Sequence, residues 1–521
     1  MHNANNWCVK PLITLERVAD IVPSGATLFV GGSGGGLQEP SALISTLGQA
    51  FKQKGAPCDL TLWHCSGIGD KAGGGLSHFA TPGNLRRVIG GHWGMSPELA
   101  DLAVAEEIDA YNFPQGVIAH LLRVTGSGED GLLTKVGLRT FVDPRVEGGR
   151  LNARTTEELV QLVTVRDREY LFYPAPRIDV CLLRATSADV QGNLSFEDEA
   201  AILEPLEAAL ATKRNGGIVI VQVSKYLAKN SINPRDVRVP GNLVDYLVHV
   251  KECSQTAVTH FEPGFTGKYR VPLESLPIMP VGLRRIVAEL AYREIAHGQL
   301  VNLGVGMPDG IAKLASERNE IDQIAFAVEQ GHIGGIPAGG IEFGAVFNPS
   351  CSLPAASQFD LFDGGHLDVA FLGMAEVDQY GNVNVSRHGG GISGAGGFIN
   401  ITQGTHKVVF CGSFTAGGLA VDVGANGLAI TTEGRFGKFV DQVKQITFSG
   451  ARARELKQEV LYVTERAVFR LIDEGLELIE VVEGVDIERD IVAQMSFRPV
   501  INEVAVIRLP DHDVTATERA P

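Results

Sequence analysis

An internal repeat constrains the fold of this 521-residue chain more than any other feature. DVCLLRATSADVQGN at 179–193 aligns with DVAFLGMAEVDQYGN at 368–382 without a gap, and both end in a D-x-x-G-N turn pattern. GATLFVG at 25–31 likewise matches GQLVNLG at 298–304, and in both places a glycine-rich turn, a proline and a helix-like segment follow. Self-similarity of this kind indicates duplicated structural units. The sequence therefore predicts two homologous halves.

Strand-like and helix-like segments alternate within each half. IVIVQV at 218–223 and KVVFCG at 407–412 add a further strand after each repeated motif. This alternation favours β-α-β units, so we expect the α/β class with mostly parallel, open sheets. A helical pattern over 282–298 is predicted to end with His297 in its last turn and Gly298 as its cap.

The domain boundaries follow from composition along the chain. Residues 254–280 show no hydrophobic period and are rich in proline, which is typical of a linker. We therefore expect an N-terminal domain at 1–253, a linker at 254–280 and a C-terminal domain at 281–510. A loose polar tail is expected at 511–521.

Composition and charge exclude several classes of function. The net charge of −16 argues against a general nucleic-acid binder. The seven cysteines form no C-x-x-C pair and no Cys/His cluster, so we expect neither a disulfide framework nor a metal site. The start of the chain lacks an apolar signal segment, and no apolar run approaches the roughly 18 residues of a membrane span. We therefore expect a cytoplasmic protein with no membrane partner.

One acid distinguishes the two halves. IAFAVEQG at 324–331 ends a strand-like run in Glu329, whereas LTLWHCSG at 60–67 carries Cys65 at the corresponding place. Ligands of open α/β sheets bind at the carboxyl ends of strands, so Glu329 stands where a functional group could act. Its position alone leaves three roles open: a structural acid, the ribose-binding acid of a nucleotide fold, or a catalytic nucleophile.

The dinucleotide hypothesis has partial support. Glu329 follows Gly304 by 25 residues, near the roughly 20 of the dinucleotide-binding fingerprint. The turn reads GVGMPDG at 304–310, so the third glycine is displaced and a proline occupies the turn. A nucleotide-dependent dehydrogenase therefore stays an alternative that rests on a defective motif.

Several motifs together resemble one enzyme family. They are VEQGHIGG at 328–335, GVGMP at 304–308, FDLFDGGHLDVAFLG at 359–373, EVDQYGNVNVS at 376–386, GAGGFINIT at 394–402, YVTERAVFRL at 462–471, GGHWG at 90–94, YNFPQG at 111–116, TKVGLRTFVDPR at 134–145 and NLSFEDEA at 193–200. The chain is similar over about 15–510 to family I coenzyme A transferases, above all to the fused bacterial acetate/propionate enzymes. The resemblance implies an α-type first half, a β-type second half and an active site at their interface.

The resemblance also assigns residues to that site. Glu329 falls on the family's nucleophile, and because it must be ionised to attack, we expect surroundings that are not a dry apolar pocket. The predicted catalytic backbone groups, which would donate to an oxyanion, are those of Val305, Gly396 and Gly397. The expected coenzyme A contacts are Gly304, Val305, Gly306, Met307, Gly394, Gly396, Gly397 and Lys407. The expected substrate contacts are Gln115, Gly34 and Gly35. His332 departs from the family pattern, which has proline there.

The implied reaction is transfer of coenzyme A between a short-chain acyl-CoA and a short-chain carboxylic acid. It would proceed by a ping-pong route through an acyl-glutamyl anhydride and a glutamyl-CoA thioester. Coenzyme A would be a cosubstrate, with no tightly bound cofactor, and the chain would form a homo-oligomer, a dimer or a tetramer. An acyl-CoA hydrolase on the same fold, and a non-catalytic CoA-binding module, are the further alternatives.

Overall fold

The computed structural model describes residues 9–273, 278–280, 282–424 and 427–509. The polar tail expected at 511–521 lies outside these ranges. The two expected halves are both present, and each is built on one large sheet. Within the described ranges, no helix is both long and apolar enough to cross a membrane.

The first half is built on a parallel sheet. In spatial order its strands are Tyr246–His249, Ile218–Leu227, Val180–Asp189, Thr27–Val30, Leu60–His64, Leu85–Gly90 and Asp109–Asn112. Each neighbouring pair is parallel, and the short strand Leu194–Ser195 adds an antiparallel pair to Val180–Asp189. The interior strands are buried on both faces, as parallel sheets covered by helices are.

The second half repeats the same order and then extends it. Its sheet runs Cys351–Ser352, His332–Ile333, Ala325–Ala327, Leu300–Leu303, Val369–Gly373, Lys407–Cys411, Glu459–Val463, Ala467–Ile472, Gly475–Val482 and Val500–Ile507. The five strands from Ala325–Ala327 to Glu459–Val463 are parallel and match those from Leu60–His64 to Tyr246–His249 in the first half. The prediction of two homologous α/β halves is therefore confirmed.

The repeated D-x-x-G-N turns have the same hydrogen bonds. Asp189 Oδ1 accepts from the Asn193 N–H at 3.1 Å and Asp189 Oδ2 accepts from Asn193 Nδ2 at 3.0 Å. Asp378 and Asn382 repeat both bonds, each at 3.0 Å. These aspartates are buried turn residues rather than members of a reactive site.

The helices cover the sheets and join the halves. In the first half they are Leu15–Ile21, Ser41–Lys54, Pro97–Val104, Gln115–Ser127 and Pro205–Arg214, with 3-10 turns at Gly75–Phe79 and Gly241–Leu243. The later helices are Pro263–Thr266, Leu283–Tyr292, Gly310–Glu317, Ala355–Asp363, Phe398–Gly404 and Gly450–Leu456, with a π turn at Ile487–Ile491 and 3-10 turns at Met307–Asp309, Ile321–Gln323, Gly340–Glu342 and Val492–Gln494.

Short strands form small separate sheets. Gly131–Thr134, Arg168–Pro174 and Gln161–Val165 make one of three strands, and Glu376–Asp378, Val383–Asn384 and Phe439–Val440 make another. The two-stranded pairs are Ile336–Pro337 with Val346–Phe347, Arg387–His388 with Gly391–Ile392, Thr415–Ala416 with Phe436–Gly437, and Ala420–Gly424 with Gly427–Thr432.

The helix predicted over 282–298 is shorter than expected. It spans Leu283–Tyr292, and a tight turn follows in which the Ile295 N–H donates to the Tyr292 carbonyl at 3.1 Å. That turn lets Ile295 pack against the core of the second half. Gly298 has a φ of 86° but lies in a separate turn, so its predicted role as helix cap is wrong.

The segment expected to be a linker packs on both halves in its described part. Phe265, on the short helix Pro263–Thr266, is buried and its ring lies 4.6 Å from that of Phe347. Thr256 Oγ1 donates to Glu342 at 3.0 Å, and the Ala257 N–H donates to the Gly35 carbonyl at 2.6 Å. The segment therefore holds the two halves together as well as connecting them.

The halves share a continuous hydrophobic core. Helix Gln115–Ser127 of the first half lies between its neighbour Pro205–Arg214 and helix Ala355–Asp363 of the second half. Val117 and Phe359, one from each half, are both buried in the same apolar cluster. Arg123 adds an ion pair with Asp360 at this boundary, with Nη2 2.9 Å from Oδ1. This packing fixes the relative position of the residues that meet between the halves.

Candidate active site

A cavity of about 520 Å³ lies between the halves, where the carboxyl ends of their central strands meet. Most of the residues predicted from the sequence line it. They are Gly34, Gln115, Gly304, Val305, Gly306, Glu329, Gly394, Gly396 and Gly397. The structure thus brings together motifs that lie as far apart in the chain as 34 and 397.

Glu329 follows strand Ala325–Ala327 and points into this cavity. The side chain is buried, and its Oε2 atom has no hydrogen-bond partner in the described part of the chain. Burial raises the pKa of Glu329 to about 7, with only its own backbone N–H opposing the rise. The carboxyl is therefore more buried than the sequence led us to expect for a group that must be ionised, although it still borders a cavity.

Three amide side chains fix the backbone around Glu329. Asn302 Nδ2 donates to the Ala327 carbonyl at 3.1 Å, and Gln358 Nε2 donates to the Val328 carbonyl at 3.0 Å. Gln330 Nε2 donates across the interface to Ser33 Oγ at 3.1 Å. Because all three amides are buried, the strand end that carries the acid is held on both sides.

The loop at 394–397 forms the wall beside the acid. A methyl group at Gly397 would lie 2.6 Å from Glu329 Cγ and 3.2 Å from Oε1, so the loop backbone touches the acid directly. The Gly396 N–H donates to the Gly91 carbonyl at 2.7 Å, and the Gly396 carbonyl accepts from the Gln115 N–H at 2.8 Å. This geometry does not support the predicted oxyanion donor at Gly396, because that N–H already has a partner.

The backbone N–H groups of Val305 and Gly397 fit the predicted role better. Neither has a hydrogen-bond partner among the described residues, and both residues line the cavity. Gly304, in contrast, donates its N–H to the Phe371 carbonyl at 2.8 Å and extends the strand ladder. Met307 does not line the cavity, since it begins a 3-10 turn and packs against the core of the second half.

Of the residues predicted in the first half, some line the cavity and some do not. Gln115 lines the cavity from the start of helix Gln115–Ser127, and its side chain is buried. Gly34 also lines the cavity, but Gly35 does not. A methyl group at Gly35 would lie 2.2 Å from the Ile341 carbonyl oxygen, so that residue serves close packing between the halves.

Lys407 does not reach the cavity. It begins strand Lys407–Cys411, so it lies at the opposite edge of the sheet from the carboxyl ends. Its Nζ is 2.7 Å from Glu294 Oε2 and 2.9 Å from Glu459 Oε1. The predicted contact with a coenzyme A phosphate is therefore wrong for this lysine.

Sequence reasoning missed two exposed cations that line the cavity. Lys71 comes from the first half and Arg284 from the start of helix Leu283–Tyr292. Neither lies in a motif that singled it out. The convergence of these positive charges depends on how the halves dock, which no spacing in the sequence reveals.

His332 links the halves outside the cavity. Its Nε2 lies 2.6 Å from the Ala200 carbonyl, so this nitrogen carries the proton and donates, and Nδ1 accepts from Ser352 Oγ at 2.8 Å. Burial lowers the pKa of His332 to about 4, which keeps the ring neutral. The residue that departs from the family pattern is therefore a hydrogen-bonded contact between the halves.

Cys65, the counterpart of Glu329, is not activated. It is buried, and burial together with the neighbouring Glu204 raises the pKa of its thiol well above the ordinary value. A neutral thiol is a poor nucleophile. Among the described residues, no group of three or more His, Cys, Asp or Glu side chains is arranged to hold a metal ion.

The molecule has two open α/β halves that share the order of their central strands, and the cavity between them contains a carboxyl group. Proteins of known activity with this architecture can be compared with it. The family described as coenzyme A transferase matches residues 13–250. Caffeate CoA-transferase of Acetobacterium woodii is 44% identical over 499 residues, which cover 94% of this chain and 95% of that protein. The chain therefore belongs to the coenzyme A transferase family.

Relatives that match nearly the whole chain also indicate its enzymatic activity. Acetate CoA-transferase YdiF of Escherichia coli O157:H7 is 42% identical over 496 residues, covering 94% of this chain and 93% of YdiF. The crystal structure of the YdiF apoenzyme has a TM-score of 0.92, with 40% identity and coverage of 97% and 96%. A structure of YdiF as a thioester complex with CoA has a TM-score of 0.91. This chain is a CoA-transferase.

Proposed function

We propose that this enzyme moves coenzyme A between short-chain acyl-CoA esters and short-chain carboxylic acids, with Glu329 as the covalent carrier. The single observation that carries the proposal is the unpartnered, buried Oε2 of Glu329 at the cavity between the halves. A carboxyl that borders a cavity and whose pKa is raised by burial is typical of a reactive group. YdiF, whose structure is described as a thioester complex with CoA, supports the same chemistry.

The reaction divides into balanced steps. The Glu329 carboxylate attacks the acyl-CoA carbonyl, the C–S bond breaks, and CoA leaves as a thiolate to give an acyl-glutamyl anhydride. The thiolate then attacks the glutamyl carbonyl, which releases the free carboxylate and leaves a glutamyl-CoA thioester. An acceptor carboxylate reverses both steps, so one difficult exchange becomes a series of easier ones.

Each attack creates an oxyanion that needs hydrogen-bond donors already in place. The N–H groups of Val305 and Gly397 are the candidates, since both have no partner in the described residues and both residues line the cavity with Glu329. We assign Gly396 a different role, because its N–H and carbonyl tie the loop to Gly91 and Gln115. The loop thereby places Gly397 against the acid.

Burial of Glu329 favours transfer over hydrolysis. The raised pKa of Glu329, about 7, leaves a substantial carboxylate fraction at neutral pH, and a carboxylate removed from water is a stronger nucleophile. The burial of the carboxyl between the halves also limits its exposure to the water that would hydrolyse the anhydride or the thioester. A hydrolase on this fold is therefore the less favoured function.

Coenzyme A would enter from the side of the exposed cations. Lys71 and Arg284 line the cavity from opposite halves and can attract the phosphates of the nucleotide portion, while the chain that carries the thiol reaches inward to Glu329. This arrangement replaces Lys407 in the phosphate-binding role.

One relative suggests that the acceptor acid could be larger than acetate, propionate or butyrate. Caffeate CoA-transferase is 44% identical to this chain, and caffeate is far larger than acetate. Acetate, propionate and butyrate are the proposed acceptors, and caffeate is the comparison that tests the limit of size.

We further propose a homo-oligomer, a dimer or a tetramer, that acts in the cytoplasm. Light scattering of the purified protein tests the assembly.

Trapping the covalent carrier tests the function. The protein is incubated with acetyl-CoA, treated with borohydride, digested and analysed by peptide mass. Borohydride reduces the glutamyl thioester to an alcohol and releases CoA, so the peptide that holds Glu329 should carry a side-chain alcohol in place of the carboxylate. Glu294→Gln, at the far edge of the sheet, is the matched control and should show the same conversion at Glu329. Transfer activity in Glu329→Gln would overturn the mechanism, and release of CoA at the same rate without an acceptor acid would indicate a hydrolase.

A further inference from the structure

The motif GGHWG at 90–94 has no role in the steps above, yet its histidine lines the catalytic cavity. His92 follows strand Leu85–Gly90, so it lies at the carboxyl end of the first-half sheet. Its neighbour Trp93 is buried and does not line the cavity, and the Trp93 backbone N–H donates to the Ser393 carbonyl at 2.7 Å. The backbone therefore presents His92, and not Trp93, to the site.

The His92 ring is surrounded by glycines. A methyl group at Gly67 would lie 2.6 Å from Nδ1, one at Gly94 would lie 3.0 Å from Cε1, and one at Gly396 would lie 3.7 Å from Cδ2. A side chain at Gly67 or Gly94 would crowd the imidazole, whereas the distance at Gly396 is an ordinary contact. The glycines at 67 and 94 therefore make the space that the ring occupies at the cavity wall.

The ring nitrogens of His92 have no hydrogen-bond partner among the described residues. The nearby His64 does not line the cavity, and its Nδ1 lies 2.7 Å from the Ser66 carbonyl. A polar ring that is unused by the protein and lines a cavity is available to a ligand. The ligand must be one that accepts or donates a hydrogen bond next to the reacting acid.

His92, Gln115 and Glu329 converge on two consecutive loop residues. A methyl group at Gly396 would lie 3.7 Å from His92 Cδ2 and 3.8 Å from Gln115 Oε1, and one at Gly397 would lie 3.2 Å from Glu329 Oε1. His92 and Gln115 therefore flank one residue of this loop, Glu329 flanks the next, and all three side chains line the same cavity.

Resting on the function proposed above, we propose that His92 is a specificity-determining residue that donates a hydrogen bond from its neutral ring to the carboxylate of the acceptor acid, beside Gln115. An attacking carboxylate uses one oxygen to form the new C–O bond, and its second oxygen needs a donor. A neutral donor holds that oxygen without cancelling the negative charge that makes the acid a nucleophile.

The surroundings keep the imidazole neutral. Burial, with smaller contributions from Lys71 and His64, lowers the pKa of His92 to about 4. A lysine or arginine at this position would instead form an ion pair with the acid and weaken its attack. The choice of histidine thus suits recognition of a carboxylate that must react.

Single-turnover kinetics test this role. The glutamyl-CoA form is made with acetyl-CoA, freed of acetate by gel filtration and mixed with increasing acetate, which gives the dissociation constant of acetate and the limiting rate. In His92→Leu we expect the acetate dissociation constant to rise about tenfold or more, as for loss of a hydrogen bond to a charged group. The limiting rate should change by less than about threefold, and His92→Gln, which keeps an N–H donor, should recover most of the affinity.

Inhibition by desulfo-CoA separates recognition from a general structural role. Its inhibition constant should be the same in the wild type and in both variants, because His92 is assigned to the acid and not to CoA. An unchanged acetate dissociation constant in His92→Leu, or equal losses for acetate and desulfo-CoA, would overturn the proposal. A variant that binds desulfo-CoA normally but forms no thioester would overturn it as well. Absence of the thioester in the wild type would instead refute the covalent function itself.

Discussion

Gly397 lies directly against Glu329. The Gly397 backbone has a φ of −81° that any residue could adopt, yet a methyl group there would lie 2.6 Å from Glu329 Cγ. Close approach, and not backbone conformation, is therefore the reason for glycine at this position. The loop backbone sets the position of the acid as closely as the strand that carries it does.

Gly397→Ala should displace the acid and slow transfer. Displacement of a reacting group by about 1 Å costs on the order of 100-fold in rate, so we expect kcat to fall about that much while the protein stays folded. Steady-state kinetics and thermal melting measure the two effects. Gly424→Ala, where a methyl group meets nothing within 4 Å, is the control and should leave kcat unchanged. Equal kcat in the two variants would contradict the contact.

The rate should report the ionisation of Glu329. Because burial raises the pKa of Glu329 to about 7, the nucleophilic carboxylate is lost as the pH falls below that value. We expect kcat/KM for the acyl-CoA to drop about tenfold per pH unit well below pH 7 and to level off above it. Measurement from about pH 4 to 9 checks this, and a fall in rate centred near the ordinary glutamate value of 4.5 would show that the acid is solvated during turnover.

The same burial predicts a pH-dependent effect on stability. The folded pKa of Glu329, about 7, exceeds its ordinary value of 4.5, so ionisation destabilises the folded state progressively as the pH rises between these values. Glu329→Gln should therefore raise the free energy of unfolding by about 3 kcal/mol at pH 8. At pH 4 the two proteins should differ little. Denaturant unfolding at both pH values measures this, and equal differences at the two values would refute the desolvation of Glu329.

Substitution of Arg284 and of Lys407 compares the phosphate ligand proposed from the structure with the one predicted from the sequence. Arg284→Ala should raise KM for the acyl-CoA about three- to tenfold, since it removes one charged contact of about 1 kcal/mol at an exposed site. Lys407→Ala should leave that KM unchanged, because Lys407 pairs with Glu294 and Glu459 at the other edge of the sheet. Initial rates with varied acyl-CoA at fixed acid decide between them. A larger effect from Lys407→Ala would reverse the assignment.

His332 should matter for stability more than for chemistry. His332→Leu leaves the buried Ala200 carbonyl and the Ser352 hydroxyl without their partner, which should cost about 1–3 kcal/mol in the free energy of unfolding. The pH at which activity falls should not move, since His332 does not line the cavity. His366→Leu, at an exposed histidine, is the control and should cost less than about 0.5 kcal/mol. A shift in the pH at which activity falls would show that His332 influences the ionisation of Glu329.

Much of the fold could be predicted because it is repeated. The Asp189 and Asp378 turns share their residues, and the structure gives them the same hydrogen bonds. Where a pattern depends on local spacing, as at these turns and at the strands before them, the sequence is sufficient. The end of the helix at Tyr292 was missed because Ile295 packs against distant residues, and a cap at Gly298 looked equally suitable by local rules.

The site was predictable only in its motifs. Glu329, Gln115 and the loop glycines were found from resemblance and spacing, and they line one cavity. The burial of Glu329 and the partner of the Gly396 N–H depend on how the halves dock, and the ion pairs of Lys407 depend on packing within the second half. Docking is decided by side-chain packing between elements remote in sequence, which no local pattern records.

The equal strand order of the halves, with Glu329 in one and Cys65 in the other, implies a division of labour after duplication. The second half holds the reactive acid in a tightly fixed strand end, while His92 and Gln115 reach the same cavity from the first half. Side-chain changes on the first copy can therefore alter the preferred acid as long as the contacts that hold the acid and its loop, such as that of Ser33 with Gln330, are kept. A laboratory exchange of first-half segments that spares these contacts can then change the substrate range while Glu329 and its loop are retained.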